Sequence, residues 1–328
     1  MLLPLAFCRS CGQEYYTVRR VQDPGGREVA LPLYEAKMIH HFTHRFGDYA
    51  DRAGDSQSTA LPQVPPERLQ DSSYVPLPRY WVERADVNER LENRWDFGWL
   101  FGWRRNSRST DVRSFVCNVL PRTAIGDSLF LMLSIERVQP ILLLAAVLSS
   151  FVFDYVARQK AGGMNNSYFL VKQLPVLIPE ALEREAPLWG PASFRRWLSP
   201  RLLELVFTAW DLQPYAEDCD YAGPPFKWDE LRRTALRCEI DAAFFHLYGV
   251  GRDELHHIMD SFSIVRDEDF AEHGDYRTKL VILDIYDRMQ RAIDTGEPYQ
   301  TLVDPPPADP RVAHPDDPEM RRRFSAVV

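Results

Sequence analysis

Apolar residues recur along this chain with two different periods, and the change between them organises it. Between about residue 79 and 180, short apolar runs alternate with polar breaks. Ser114 to Leu120 reads as a strand that stops at Pro121, and Tyr168 to Leu170 and Val176 to Ile178 also read as extended. Two helical stretches lie among them, Asp86 to Arg94 and Glu136 to Arg158. From about residue 196 the apolar spacing settles at three and four. Trp228, Leu231, Ala235, Cys238, Ala242 and Phe245 fall on one face of a helix ending at Gly249. Ile282, Ile285, Tyr286, Met289 and Ile293 make a second stripe before Gly296. Both stripes predict packing between helices. Mixed short strands and helices followed by a helical region predict an α+β fold.

Texture suggests four parts: a lead at 1–30, a mixed α/β domain at 31–195, a helical domain at 196–300 and a tail at 301–328. The second part opens with an apolar-aromatic segment, Leu31 to Tyr49. A polar loop from Ala50 to Asp71 follows, with prolines at 62, 65 and 66. The tail is rich in proline and aspartate and is expected to be disordered.

The chain has 328 residues, enough for two cores, and an ordinary globular composition of 45% hydrophobic and 26% charged residues. Its net charge of −8 excludes a sequence-blind nucleic-acid coat, whose affinity comes from neutralising phosphates. A local basic groove is still compatible with that balance. Five cysteines form no even framework, which predicts a reducing, cytoplasmic setting. The apolar run Ile141 to Phe153 is interrupted by Ser149 and Ser150, shorter than the about 20 residues a membrane span needs. It reads as a core helix, with no membrane partner. The first seven residues lack the basic lead of a signal peptide.

The strongest candidate for chemistry is the aromatic-basic stretch from Trp99 to Arg113. Arg104, Arg105, Arg108, Arg113 and Arg122 face only Asp111 in sequence, and guanidinium forks suit phosphate or guanine edges. Asn106, Ser107, Ser109 and Thr110 add donors, and Trp99, Phe101 and Trp103 either wedge against bases or pack inward. A second basic point holds Arg158 and Lys160, with Gly162 and Gly163 and then Asn165 and Asn166.

Weaker signals point elsewhere. Cys8 and Cys11 have the spacing of half a zinc site, but a full site needs two further ligands, and His40 and His44 sit about 30 residues away. No metal is therefore expected. Glu35 and Lys37, preceded by Asp23, mimic the carboxylate-lysine pattern of metal-dependent nucleases. Asp304 to Pro307 mimics the Asn-Pro-Pro-aromatic loop of amino-methyltransferases, yet its fourth residue is proline and cannot stack on a base. No glycine-rich phosphate loop, G-x-S-x-G elbow or H-E-x-x-H helix is present, so catalysis by this chain alone is not expected.

Several segments together resemble the C-terminal half of adenine-specific DNA methyltransferases of the type IIG and BREX/DISARM kind. The matching words are Leu31 to Ile39, Arg104 to Arg113 leading into Val119 to Arg122, and Leu148 to Arg158 with Gly162 and Gly163. They continue with Gln173 to Val176, Glu239 to Gly249 and Gly274 to Thr278. The resemblance implies a target-recognition domain at 31–195 followed by the helical part. It also implies duplex DNA as partner, and a separate methyltransferase catalytic domain or defence-system subunit. S-adenosylmethionine would be the cofactor of the complete enzyme and not of this chain. Where the family often carries Asn-x-Arg-Thr, this chain has Asp111-Val-Arg-Ser114. The rival readings are a non-binding remnant of a truncated or fused gene, and a nuclease centred on Glu35 and Lys37.

Overall fold

The computed structural model describes residues 2–4, 21–22, 28–51, 61–107, 111–133, 138–160, 165–183, 185–190 and 192–325. The fold is α+β, with two small sheets and a helical C-terminal part. In the first sheet β3 (Glu28–Tyr34) is central, flanked by β2 (Val21–Gln22) and by β4 (Tyr80–Glu83), which also carries β1 (Leu2–Pro4). These pair antiparallel, with Leu31 opposite Val82, while β7 (Ala124–Ile125) joins β3 in parallel at Leu33 and Tyr34.

The second sheet has β5 (Trp99–Arg104) between β6 (Cys117–Pro121) and β8 (Leu129–Leu131), all antiparallel. Trp99 to Trp103 are all buried, so β5 is covered on both faces and shows no polar alternation. Gly102 is required there, because any Cβ would meet the Phe130 carbonyl of the neighbouring strand.

The helices begin with α1 (Pro66–Leu69) in the polar loop and α2 (Arg84–Leu91), which overlaps the helix expected from Asp86. The apolar run expected as one helix is two, α3 (Val138–Ser149) and α4 (Phe151–Lys160), meeting at 71°. Hydroxyls make the corner. Ser149 and Ser150 donate to the carbonyls of Ala145 (2.8 Å) and Val147 (2.7 Å), and Ser150 Oγ accepts from Phe153 N–H. Asp241, from another helix, accepts from Phe151 N–H at 2.7 Å and so caps a first-turn donor that the local Ser150 cap leaves open. Among the described residues no single helix is long and apolar enough to cross a membrane, and the described part of this bent pair is largely buried.

Two segments expected as extended are otherwise. Tyr168–Val171 is a short helix, α5, because Ser167 Oγ accepts from Leu170 N–H; Val176 to Ile178 has no regular structure. After α6 (Pro179–Leu182) come α7 (Phe194–Val206), α8 (Gln213–Asp218), α9 (Glu230–Leu247), α10 (Arg252–Asp260), α11 (Ser263–His273) and α12 (Arg277–Thr295). α9 and α12 are the two helices read from periodicity, and they pack on each other. Their stripes fray at the ends: Leu231 is 73% exposed and Ile293 45%, whereas Arg233 and Glu239 are buried. One hydrophobic cluster runs from Leu31 through both sheets to Ala313, so packing continues across the change of texture near 196.

The tail, expected to be disordered, is ordered through α13 (Pro318–Ser325). The reason is a buried carboxylate and a shared edge. Glu239 on α9 accepts from Thr301 Oγ1 (2.7 Å), Leu302 N–H (2.8 Å) and Tyr299 OH (2.9 Å), and pairs with Arg201 at 2.9 Å. Beyond the prolines, Lys227 N–H reaches the Val312 carbonyl and His314 N–H the Pro225 carbonyl, while Phe324 is buried. A proline-rich segment has few donors of its own, but here fixed partners supply what it lacks.

The capping role of Asp241 has a testable pH signature. Burial raises its carboxyl to about 6, against the lowering pull of Arg113 and the Phe151 N–H. A carboxyl whose folded value lies above its unfolded one stabilises the fold when protonated. That contribution is complete below about 3.8 and is lost as pH rises through about 6. Asp241→Asn keeps an oxygen for Phe151 and removes the charge. We expect it to raise stability at pH 7.5 by roughly 1–3 kcal/mol and to flatten stability between pH 4 and 6.5, as read by urea denaturation.

Candidate nucleic-acid interface

The aromatic-basic stretch is laid along β5 and the loop that follows it. Its aromatic residues point inward. Trp99 donates to Asp218 at 2.7 Å, Trp103 donates to the Asn166 carbonyl at 2.8 Å, and with Phe101 they are almost fully buried. They build core and are not wedges for bases.

Most of the arginines are also turned to protein acceptors, which corrects the expectation of a basic groove. The half-buried Arg104 donates to the Ile39 carbonyl and covers the Phe46 ring. Arg113, 8% exposed, forms a buried ion pair with Asp154 at 2.6 Å, donates to the Ser149 carbonyl at 2.7 Å and lies over Phe151. Arg122 holds the carbonyls of Trp95 and Phe97, each at 3.0 Å. Arg158 holds those of Asp111 (3.1 Å) and Val112 (2.8 Å) and stacks on Phe262. A guanidinium carries donors in a fixed fork, so one side chain can satisfy several carbonyls that leave regular structure.

What remains outward is smaller and comes from both basic points. Arg105 has a side chain 40% exposed, resting over Phe130 and 3.9 Å from the open carboxylate of Asp127. Asn106 is exposed and bridges to the exposed Asn165, and Asn166 N–H donates to the Arg105 carbonyl at 2.7 Å. The buried Asn166 side chain locks the junction, donating to the Ser114 carbonyl (3.0 Å), Ser107 Oγ (3.3 Å) and the Arg104 carbonyl (3.4 Å). Lys160 is exposed at the end of α4. The fold thus joins Arg105 and Asn106 to Asn165 across about 60 residues of sequence. Arg108, Ser109 and Thr110, with Gly162 and Gly163, lie outside the described residues.

The other candidate chemistry takes ordinary structural forms. Glu35 accepts from Tyr49 OH and is 3.6 Å from Lys37, so both members of the nuclease-like pair are engaged with each other and with tyrosine. His44 pairs with buried Asp211 at 2.9 and 3.0 Å, and His40 packs on Phe46. Cys8, Cys11 and Asp23 lie outside the described residues, among which no group of three or more histidine, cysteine or carboxylate side chains could hold a metal.

Comparison with known proteins finds no family model, no curated protein and no solved structure that matches this chain. Asn166, expected to face DNA, is instead buried as a lock, and the sequence pattern did not single out Arg45, Arg233 and His41 as buried polar groups. The available signal was the mix of His40, His41, His44 and Arg45 with the aromatic residues of the segment Leu31 to Tyr49.

The two classes of arginine separate by stability. Arg113→Ala leaves the buried Asp154 without its hydrogen-bonded cation, with only Arg158 at 3.9 Å, and is expected to cost about 3–5 kcal/mol, as for other broken buried pairs. Arg105→Ala is expected to stay within about 0.5 kcal/mol of the parent. Guanidinium denaturation of the two variants checks both values.

Proposed function

We propose that this chain binds duplex DNA as the recognition part of an N6-adenine DNA methyltransferase of restriction or phage-defence type, acting in the cytoplasm. The methyl transfer belongs to a separate catalytic part that binds S-adenosylmethionine. The observation that carries the reading is the joining of Arg105 and Asn106 to Asn165, by a backbone bridge and by the Asn166 lock behind it. A stretch that resembles the recognition half of such enzymes, and the asparagines just past a second resembling segment, far apart in sequence, present one polar ridge on rigid supports.

The ridge has the chemistry of a reader more than of an electrostatic clamp. Arg105 on the ridge, and Lys160 at the end of α4, are cations for phosphate or, for the guanidinium, a guanine edge. Asn106 and Asn165 offer amides of the kind that pair with adenine edges. With a net charge of −8 the rest of the molecule contributes no broad attraction. In the complete enzyme, grip on flanking duplex holds the site while the target adenine leaves the stack for the catalytic part.

Two phosphate contacts would contribute about −1.8 to the slope of log affinity against log salt, and each cation removed lowers that slope by about one. Arg105→Ala and Lys160→Ala are each expected to show this, with unchanged melting temperature, in binding isotherms taken at two salt concentrations. A double variant that binds duplex as the parent does would place the contact elsewhere, and a folded parent that binds no duplex would mark a non-binding remnant. Calorimetry of the chain with S-adenosylmethionine is expected to show no saturable heat. Saturation at micromolar ligand would assign the chain a cofactor pocket of its own.

A further inference from the structure

A cleft of about 570 Å³ lies between the loop His40 to Phe46, α1 and the start of α9. That size is within the range of about 300–1,000 Å³ for small-molecule sites and far above the need of a lone oxyanion. It shares His40, His41, Glu230 and Arg237 with a second hollow of about 470 Å³.

Its walls hold buried polar groups that the protein leaves unsatisfied. Arg45 is 0% exposed and Arg233 3%, and the hydrogen-bond acceptors of both are backbone carbonyls and one threonine hydroxyl, not carboxylates. Arg45 donates to the carbonyls of Asp71, Leu69 and Thr208; Arg233 donates to those of Leu205 and Phe42. The Nε–H of each finds no acceptor. Burial pulls both guanidinium groups down, Arg45 to about 10 and Arg233 to about 9, the sign of cations lacking full compensation. The two carboxylates on the wall are committed elsewhere, Asp229 to the Arg232 N–H at 3.0 Å and Glu230 to Arg237 at 2.6 Å.

His41 is the third such group. It is 4% exposed, and neither ring nitrogen has a partner. Burial and then the nearby cations, Arg113 foremost, hold its pKa well below the ordinary histidine range, so the ring is neutral with one donor and one acceptor. It sits in a tight turn closed by His40 and Thr43, with Phe42 in the left-handed region at φ 58° and its carbonyl held by Arg233. A bulky residue in that region is strained and persists only where surrounding contacts fix it. The walls are aromatic: His40 and Phe46 pack with ring centroids 4.9 Å apart at a tilt of 34°, and Trp228 is backed by Arg233 at 3.7 Å.

We propose that this cleft binds a nucleotide, its phosphate compensating Arg45 and Arg233, its ring lying among His40, Phe46 and Trp228, and a polar edge meeting His41. The proposal rests on the cleft alone and is independent of the DNA ridge. The source is either a free nucleotide or one unit of a nucleic-acid strand, since both present the same ring and phosphate.

Calorimetry and thermal shift with adenosine and cytidine 5′-monophosphates, adenosine, inorganic phosphate and a short single-stranded deoxyoligonucleotide test it. A nucleotide is expected to bind with Kd below about 1 mM and to raise the melting temperature, and adenosine and phosphate to bind at least about tenfold more weakly. His41→Phe keeps the ring and removes both nitrogens. It is expected to weaken nucleotide binding about tenfold, the equivalent of a lost hydrogen bond, while melting at or above the parent. Histidine nitrogen NMR shifts of the parent give a second readout, with His41 moving on titration. Tighter binding of the oligonucleotide with the same His41 dependence identifies a strand as the source, and tighter binding of the monophosphate a free nucleotide. Arg105, outside the cleft lining, is not needed for the mononucleotides, so Arg105→Ala leaves their binding unchanged and separates it from failure of the DNA reading. The proposal is overturned if no nucleotide saturates the chain at millimolar concentration, if His41→Phe binds undiminished, or if phosphate alone matches the nucleotides.

Discussion

Asp154 has no exposed surface, and the middle of the molecule is built on its carboxylate. It accepts from Arg113 Nε at 2.6 Å and from the backbone N–H groups of Ser114 and Phe115, with Arg158 at 3.9 Å behind. These donors lie on the stretch leading into β6, which is not paired with another strand at that point. Taking a carboxylate out of water is costly, and the cost is met only when good donors surround it. Here the donors are there because the chain must pass from the arginine loop into the second sheet. Around the same corner Arg113 reaches the Ser149 carbonyl, Arg158 the carbonyls of Asp111 and Val112, and Asn166 that of Ser114. The second sheet, the α3–α4 corner and the base of the candidate ridge are therefore one fixed unit.

Much of the fold was legible because local pattern and tertiary role agree. α2, α9 and α12 announce themselves by the spacing of Val87, Leu91, Ala242, Phe245, Ile282, Ile285 and Met289, all buried as the period requires. β6 was readable from its apolar run. The misread parts are those in which a distant group overrides local preference. The α3–α4 corner depends on Asp241, 90 residues from the N–H it caps. The tail is ordered by Glu239, which no tally of prolines and aspartates reveals. Tyr168 to Leu170 has strand propensity, yet a single serine oxygen turns it into a helix.

The candidate site was legible in composition and not in direction. A run of arginines records charge density, but a guanidinium serves a buried carbonyl as readily as a phosphate. Arg104, Arg113 and Arg122 are spent inside, and the residues that face out include amides whose neighbours in space, Asn106 and Asn165, are far apart in sequence. Periodicity could not have found Arg233 either. It occupies the inward face of α9 that Leu231 was expected to share, because Trp228 and the Phe42 carbonyl give its stem and fork a place to rest.

This inward use of arginine bears on how the proposed recognition part would work. With 39 basic against 47 acidic residues overall, and with Arg104, Arg113, Arg122 and Arg158 engaged by protein acceptors, the candidate stretch itself keeps few cations to meet phosphates. Under the DNA-binding reading, affinity from the ridge alone is modest, and discrimination rests on amides and one guanidinium held in place. Such a surface gains from tethering. Joined to a catalytic part with its own hold on the duplex, binding by the ridge becomes intramolecular, with an effective concentration near the millimolar range for a short connection. Weak, salt-sensitive contacts then suffice to choose among sites, and a strongly basic surface would blur that choice by holding every sequence alike.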